Sequence, residues 1–224
     1  MVAITYSEER RNDYAVGTIL AMVLTGLSYL IALWQKWITT VDWLEILAVS
    51  AAYACTYLCV VQKRFNYVLG AVSTAAFSLL FWRADLIAST LLNLYLTPQL
   101  VYGWFRWRRD EITRLVTRVN WRSAPLYILA TGLFYLGATT LVDLAGGAMA
   151  GWDVIILIGS ILAQFLLDNK KLETWAAWAL VNIVAIGVYW TNDLKITALQ
   201  YVFFLFGTYI GHRRWRKSKI GFNC

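Results

Sequence analysis

The sequence predicts an all-α integral membrane protein with about eight transmembrane helices, built as two parallel three-helix repeats joined by a linker helix, plus one extra N-terminal helix. Of the 224 residues, 60% are hydrophobic and only 15% are charged. The apolar residues are gathered into runs close to the roughly 20 residues that a helix needs to cross a bilayer. In addition, an offset of 108 residues aligns the second half of the chain with the first.

Eight apolar runs meet this length criterion. The first follows a mixed acidic and basic leader over residues 1–14 and lacks a small-residue cleavage site, so an extra N-terminal span over 15–39 is predicted rather than a signal peptide. The predicted spans cover residues 15–35, 43–61, 66–82, 85–105, 124–146, 152–168, 172–190 and 196–212.

The basic residues predict the orientation of these spans. They concentrate in alternate loops and in the tail, at Lys63 and Arg64, 106–122, Lys170 and Lys171, and 213–219. Because positively charged loops stay in the cytoplasm, both termini and the basic tail over 217–224 are predicted to be cytoplasmic. The net charge of +7 thus indicates topology and not a nucleic-acid partner.

One long basic loop has a helical pattern of its own. Arg114, Arg118 and Arg122 recur every fourth residue, and apolar residues occupy another side. A short helix lying in the cytoplasmic interface, over 109–123, is therefore predicted, with its arginines near anionic lipid headgroups.

The internal repeat predicts the domain organisation. Residues 43–108 form the first three-helix repeat, residues 151–216 the second, and the span 124–146 connects them. One connecting span makes both repeats run in the same direction, as in transporters that hold substrate near the midplane. The matched positions include Lys63 with Lys171, Trp82 with Trp190, Asp85 with Asp193, Gly103 with Gly211, and Trp107 with Trp215.

A polar and aromatic face lies on the predicted helix 172–190. Trp175, Trp178 and Asn182 stand at i, i+3 and i+7, so they share one side. An amide facing lipid would lack a partner, which places this face towards the protein or a cavity. Either the face binds a ligand, or the tryptophans pack and Asn182 bonds a neighbouring helix.

With this repeat and the Trp-x-x-Trp-x-x-x-Asn face, the chain resembles the PnuC family of bacterial vitamin transporters. The resemblance covers residues 43–216. It is also carried by Tyr102-Gly103-Trp104-x-x-Trp107, by Phe203-Phe204-Leu205, and by Gly211 and Trp215.

The resemblance implies a fold similar to the SWEET sugar transporters, a homotrimer, and a place in the bacterial inner (cytoplasmic) membrane. It further implies facilitated diffusion of nicotinamide riboside, which a cytoplasmic kinase then traps. The repeated prolines that sugar transporters use near their gates are missing from the spans 43–61 and 152–168. A hinge based on those prolines is therefore not implied.

The ligand that the resemblance implies has a flat cationic ring, an amide and ribose hydroxyls. It needs an aromatic face for the ring and amide partners for the rest. The absence of lysine or arginine from these faces fits a ligand without phosphate. The predicted substrate-binding residues are Trp175, Trp178, Asn182, Asn93, Gln99, Tyr67 and Thr74.

No catalytic residue, metal site or cofactor is predicted, because the single histidine, His212, lies in the basic tail and no glycine-rich phosphate loop is present. Three alternatives stay open. One is another vitamin as substrate, thiamine or riboflavin. The second is ion coupling through Glu45 and Asp153, although both carboxylates could instead cap helix N-termini. The third is a sensor or scaffold subunit without transport, which would have the same binding face.

Overall fold

Seven helices dominate the computed structural model of the chain, which describes residues 2–38, 40–83, 87–108, 116–120, 151–191 and 194–220, together with scattered residues between 122 and 140. The all-helical prediction is confirmed for this part of the chain. Helical residues also recur between 125 and 140, inside the predicted linker span. The seven helices are α1 Val2–Trp34, α2 Trp43–Val60, α3 Asn66–Arg83, α4 Ile87–Arg106, α5 Gly151–Asp168, α6 Thr174–Thr191 and α7 Lys195–Ile220.

The helices differ in how apolar they are. By length and composition, the segments Asn12–Trp34, Trp43–Val60 and Thr174–Thr191 could each cross a membrane, and Ile155–Asp168 is a shorter apolar stretch. Helices α3, α4 and α7 carry more polar residues. Because many of these line an internal cavity, they do not need to face lipid, and a lower mean hydropathy is compatible with a membrane position.

The helix bounds recur at the offset seen in the sequence. Helices α3 and α6 begin and end 108 residues apart, as do α2 and α5. Both α2 and α5 also end in the same turn, with Gln62 at φ 59° and Lys170 at φ 47°. In each turn the following backbone N–H closes a Schellman-type bond, from Lys63 in one half and Lys171 in the other. These matches support the proposed internal repeat.

The extra N-terminal helix α1 packs against α2 through polar contacts. The hydroxyl groups of Thr25 and Ser50 lie 3.0 Å apart, as do those of Ser28 and Tyr53. Helix α1 runs unbroken from Val2 to Trp34, so the predicted leader continues into the span as one helix, and the position of the membrane boundary stays a prediction. Asp13, within the predicted leader, is accommodated by an ion pair of 3.0 Å with Lys63.

The predicted interfacial helix is wrong over residues 116–120, which are not helical. Thr117 forms an isolated parallel bridge to the turn after α5, donating to the carbonyl of Lys170 at 3.0 Å and accepting from Leu172 at 2.9 Å. These backbone groups are thus satisfied by the turn instead of by a helix. Residues 109–115 of the prediction lie outside the described residues.

Candidate substrate-binding cavity

A cavity of about 170 Å³ lies among α2 to α7, and each of these six helices contributes to its lining. Since one water needs roughly 10–15 Å³ measured in this way, the cavity has room for on the order of ten waters or one small organic molecule. None of the described lining residues comes from helix α1. The cavity therefore belongs to the two predicted repeats and not to the N-terminal helix.

Aromatic rings form much of the cavity wall. A stacked column runs from Phe77 to Phe81, with ring centroids 5.5 Å apart, and continues to Tyr189 at 5.7 Å and to Tyr201 at 5.3 Å. All three ring pairs lie within 25° of parallel. The column joins α3 to α6 and α7, and it presents flat surfaces on which a planar ligand could stack.

Trp175 is fixed in the wall by close packing on α7. Its ring meets Trp215 edge-on with centroids 5.3 Å apart, and a Cβ added at Gly211 would overlap it. Only glycine therefore lets the two helices approach so closely here. The same arrangement occurs at the repeat-related positions Tyr67, Gly103 and Trp107.

None of the described residues that line the cavity is charged. The polar part of the lining consists of hydroxyl groups and side-chain amides. An uncharged lining does not neutralise a phosphate, which proteins usually bind with arginine, lysine or helix N-termini. The five amide residues are Asn66, Asn93, Gln164, Asn182 and Gln200.

The structure brings five of the seven predicted binding residues together around this cavity, and leaves two out of its lining. Tyr67 and Gln99 are the two that do not line it. Their side chains instead donate to the two carboxylate oxygens of Asp168, each at 2.8 Å. The five that line the cavity are Trp175, Trp178, Asn182, Asn93 and Thr74.

Asp168, the last residue of α5, is a functional candidate that the sequence reasoning missed. It is only 2% exposed. Besides Tyr67 and Gln99 it accepts from Gln164 at 2.9 Å. Because Tyr67 and Gln99 lie on α3 and α4, this carboxylate ties the two halves together next to the cavity. Two signals in the sequence could have found it. Asp168 is an acid at a helix C-terminus, where the helix dipole disfavours negative charge, and the equivalent residue of the first repeat is the apolar Val60.

Several buried polar atoms of the lining have no hydrogen-bond partner among the described residues. They are Oδ1 of Asn66, Nε1 of Trp175, and both Nε2 and Oε1 of Gln200. Buried polar groups in folded proteins are nearly always paired. These atoms are therefore available to a polar ligand in the cavity.

Glu45, the described member of the predicted carboxylate pair, does not line the cavity. It accepts a hydrogen bond of 3.0 Å from the hydroxyl group of Tyr29. The N-terminus of α2 is capped by Asp42, whose carboxylate accepts from the backbone N–H of Leu44 at 2.8 Å. The side chain of Asp153 lies outside the described residues. Within the described part of the chain, no group of three or more His, Cys, Asp or Glu residues is placed to hold a metal ion.

A helical membrane bundle that encloses an uncharged, aromatic-walled cavity between two similar halves is typical of transporters of small organic molecules. A profile of the family described as nicotinamide mononucleotide transporter matches residues 42–217. The chain belongs to this family, the PnuC family that its sequence resembles. It is a multi-pass membrane transporter and not an enzyme.

Individual relatives agree with this assignment. The chain is 23% identical over 206 residues to the nicotinamide riboside transporter PnuC of Escherichia coli strain K12, covering 79% of this chain and 86% of that protein. It is 26% identical over 125 residues to the riboflavin/roseoflavin transporter RibM of Streptomyces davaonensis, covering 51% and 57%. Its fold is similar to a crystal structure of the vitamin B3 transporter PnuC, with a TM-score of 0.75, 20% identity and 92% of each chain covered.

Proposed function

We propose that the protein carries nicotinamide riboside into the cell by facilitated diffusion and that a cytoplasmic kinase then traps the imported riboside. The observation that carries this proposal is the uncharged cavity with aromatic walls and unpaired amide atoms. The flat cationic ring of the riboside would stack on Trp178 or on the column of Phe77 and Phe81. The amide and ribose groups would then bond to the polar side chains.

The lining also favours the riboside over its mononucleotide. A phosphate brings close to two negative charges at neutral pH, and moving them into a cavity without a cationic partner is costly. No lysine or arginine stands among the described lining residues. The riboside itself carries only the positive charge of its ring, which aromatic faces attract.

Riboflavin is the second candidate, because RibM matches about half of the chain. Its ring is flat too, but it is larger than nicotinamide and uncharged. A site selected for a cation should prefer the riboside, since the attraction between a cation and an aromatic ring adds to stacking. Competition between the two ligands therefore discriminates the candidates.

The transport proposal predicts counterflow without an ion gradient. Liposomes loaded with unlabelled nicotinamide riboside should take up the labelled compound, and excess nicotinamide riboside should compete while its mononucleotide, thiamine and riboflavin should not. Glu45→Gln with Asp153→Asn should keep the activity, because Glu45 lies outside the cavity lining. Strict dependence on a sodium or proton gradient, or equal competition by the mononucleotide, would contradict the proposal.

The orientation proposal predicts which loops face the cytoplasm. In a cysteine-free background, single cysteines at Lys171 and Lys217 should react with impermeant maleimide only after the membrane is opened. Cysteines at Ala84 and Asn192 should react in intact cells, because their loops carry little net charge. Labelling of the Ala84 position only from the cytoplasmic side would refute the eight-span arrangement.

The resemblance to the PnuC family supports a proposal for the assembly and location of the protein. We propose that the protein assembles as a homotrimer in the bacterial cytoplasmic membrane, with both termini inside the cell. Each protomer would hold its own cavity, because six helices of a single chain already line it. Transport would then not require residues shared across the interface.

A further inference from the structure

Gln200, on α7, is an amide that the fold buries without using it. The residue is 1% exposed and lines the cavity. Neither its Nε2 nor its Oε1 has a hydrogen-bond partner among the described residues. An unpaired donor and an unpaired acceptor on one buried side chain together fit a ligand that offers an acceptor and a donor side by side.

The other half of the protein shows that the fold does not need an amide at this place. The residue 108 positions earlier is Leu92, which is buried and lines the same cavity. Other amides of the lining are held by the protein itself. Gln164 donates to Asp168 at 2.9 Å, and Asn93 donates to the carbonyl of Ser89 at 2.8 Å. The free amide of Gln200 is therefore assigned to the ligand and not to the scaffold.

We propose that Gln200 recognises the primary carboxamide of the transported molecule through two hydrogen bonds, Nε2 donating to the amide oxygen and Oε1 accepting from the amide nitrogen. This inference rests on the proposed function, since it takes the riboside as the substrate. It adds a basis for specificity. A carboxylate has acceptors only, so in the acid analogue one oxygen would face Oε1 with no proton between them.

The prediction is a preference for the amide that depends on Gln200. Wild-type protein should bind nicotinamide riboside at least about tenfold more tightly than nicotinic acid riboside, because a site that bonds a donor rejects the analogue that lacks it. Gln200→Leu should weaken binding of the amide about tenfold or more and change binding of the acid about twofold or less. The preference should thus fall about fivefold or more, and what remains reflects the cost of placing a carboxylate in an uncharged cavity.

The experiment is calorimetric titration of the purified full chain with both compounds, on wild type, Gln200→Leu and Gln35→Leu. Gln35 follows α1, is exposed and does not line the cavity, so its variant should behave as wild type. Gln200→Leu should unfold at or above the wild-type temperature, because it removes an unpaired buried polar group. That result separates a lost contact from a lost fold.

One outcome would overturn the proposed role of Gln200, and another would overturn the proposed function. If wild type binds nicotinamide riboside and Gln200→Leu keeps the same preference for the amide over the acid, Gln200 does not recognise the carboxamide, and the proposed function stands. If wild type binds neither compound, the proposed function itself fails.

Discussion

Replacing Asp168 by alanine is expected to lower the free energy of unfolding by about 3 kcal/mol and to abolish transport. The substitution leaves three donors without their acceptor, the buried groups of Tyr67 and Gln164 and the partly buried amide of Gln99. Each unsatisfied buried donor costs about 1–3 kcal/mol, less what rearrangement recovers. Because the donors come from α3, α4 and α5, the loss also removes a tie between the two halves.

The neighbouring residue provides a matched control. Asn169 follows α5, and among the described residues its side chain donates only to the carbonyl of Phe165, at 2.9 Å, so Asn169→Ala should change stability by about 0.5 kcal/mol or less. Tyr67→Phe should have an intermediate effect, since it removes one of the three donors and leaves no donor unpaired. Thermal unfolding of the purified proteins measures the stability of all three variants against wild type. Equal unfolding temperatures for Asp168→Ala and Asn169→Ala would show that the carboxylate does not hold the halves together.

The helices were predictable from the sequence because a bilayer imposes a simple length rule. The predicted spans 43–61 and 66–82 differ from α2 and α3 by one residue at one end. The segment 109–123 was not predictable in this way. Its arginine spacing suggested a helix, but the non-helical part 116–120 pairs with the turn after α5, and no local pattern encodes a partner that lies about 50 residues away.

The candidate site was predictable as a set of residue types but not as a set of contacts. The spacing of Trp175, Trp178 and Asn182 indicated a common side of α6, and all three line the cavity. Tyr67 was included as the repeat equivalent of Trp175, yet the two halves differ at Asp168, which attracts the tyrosine hydroxyl group. Such a long-range pairing depends on how α3 packs against α5, which the periodicity of a single helix cannot indicate.

Gln200 was missed for a related reason. It lies on a helix of low mean hydropathy whose polar residues occupy several sides, so no single side stood out. Its significance comes from the absence of partners for both of its amide atoms among the described residues. A sequence contains the amide but not whether it is satisfied. Only the packed helices around it show that.

Trp175 and Asn182 lie at different depths along the proposed transport path. Helix α6 begins at Thr174, on the side proposed to be cytoplasmic. At about 1.5 Å per residue, Asn182 lies roughly 10 Å further along the helix than Trp175, towards the midplane where transporters built from repeats hold substrate. Asn182 is 2% exposed and lines the cavity, so we propose the ligand as its hydrogen-bond partner.

Trp178→Ala is expected to weaken binding of nicotinamide riboside by more than about 1 kcal/mol, and Asn182→Leu by about 1–3 kcal/mol. Trp178→Phe keeps an aromatic face and should have a modest effect. Leu79→Ala is the control, because Leu79 is exposed and outside the cavity lining, and it should bind as wild type does. Calorimetric titration of folded protein measures the affinity of all four variants for nicotinamide riboside. Wild-type affinity in both Trp178→Ala and Asn182→Leu would mean that this face packs the bundle and that the riboside binds elsewhere.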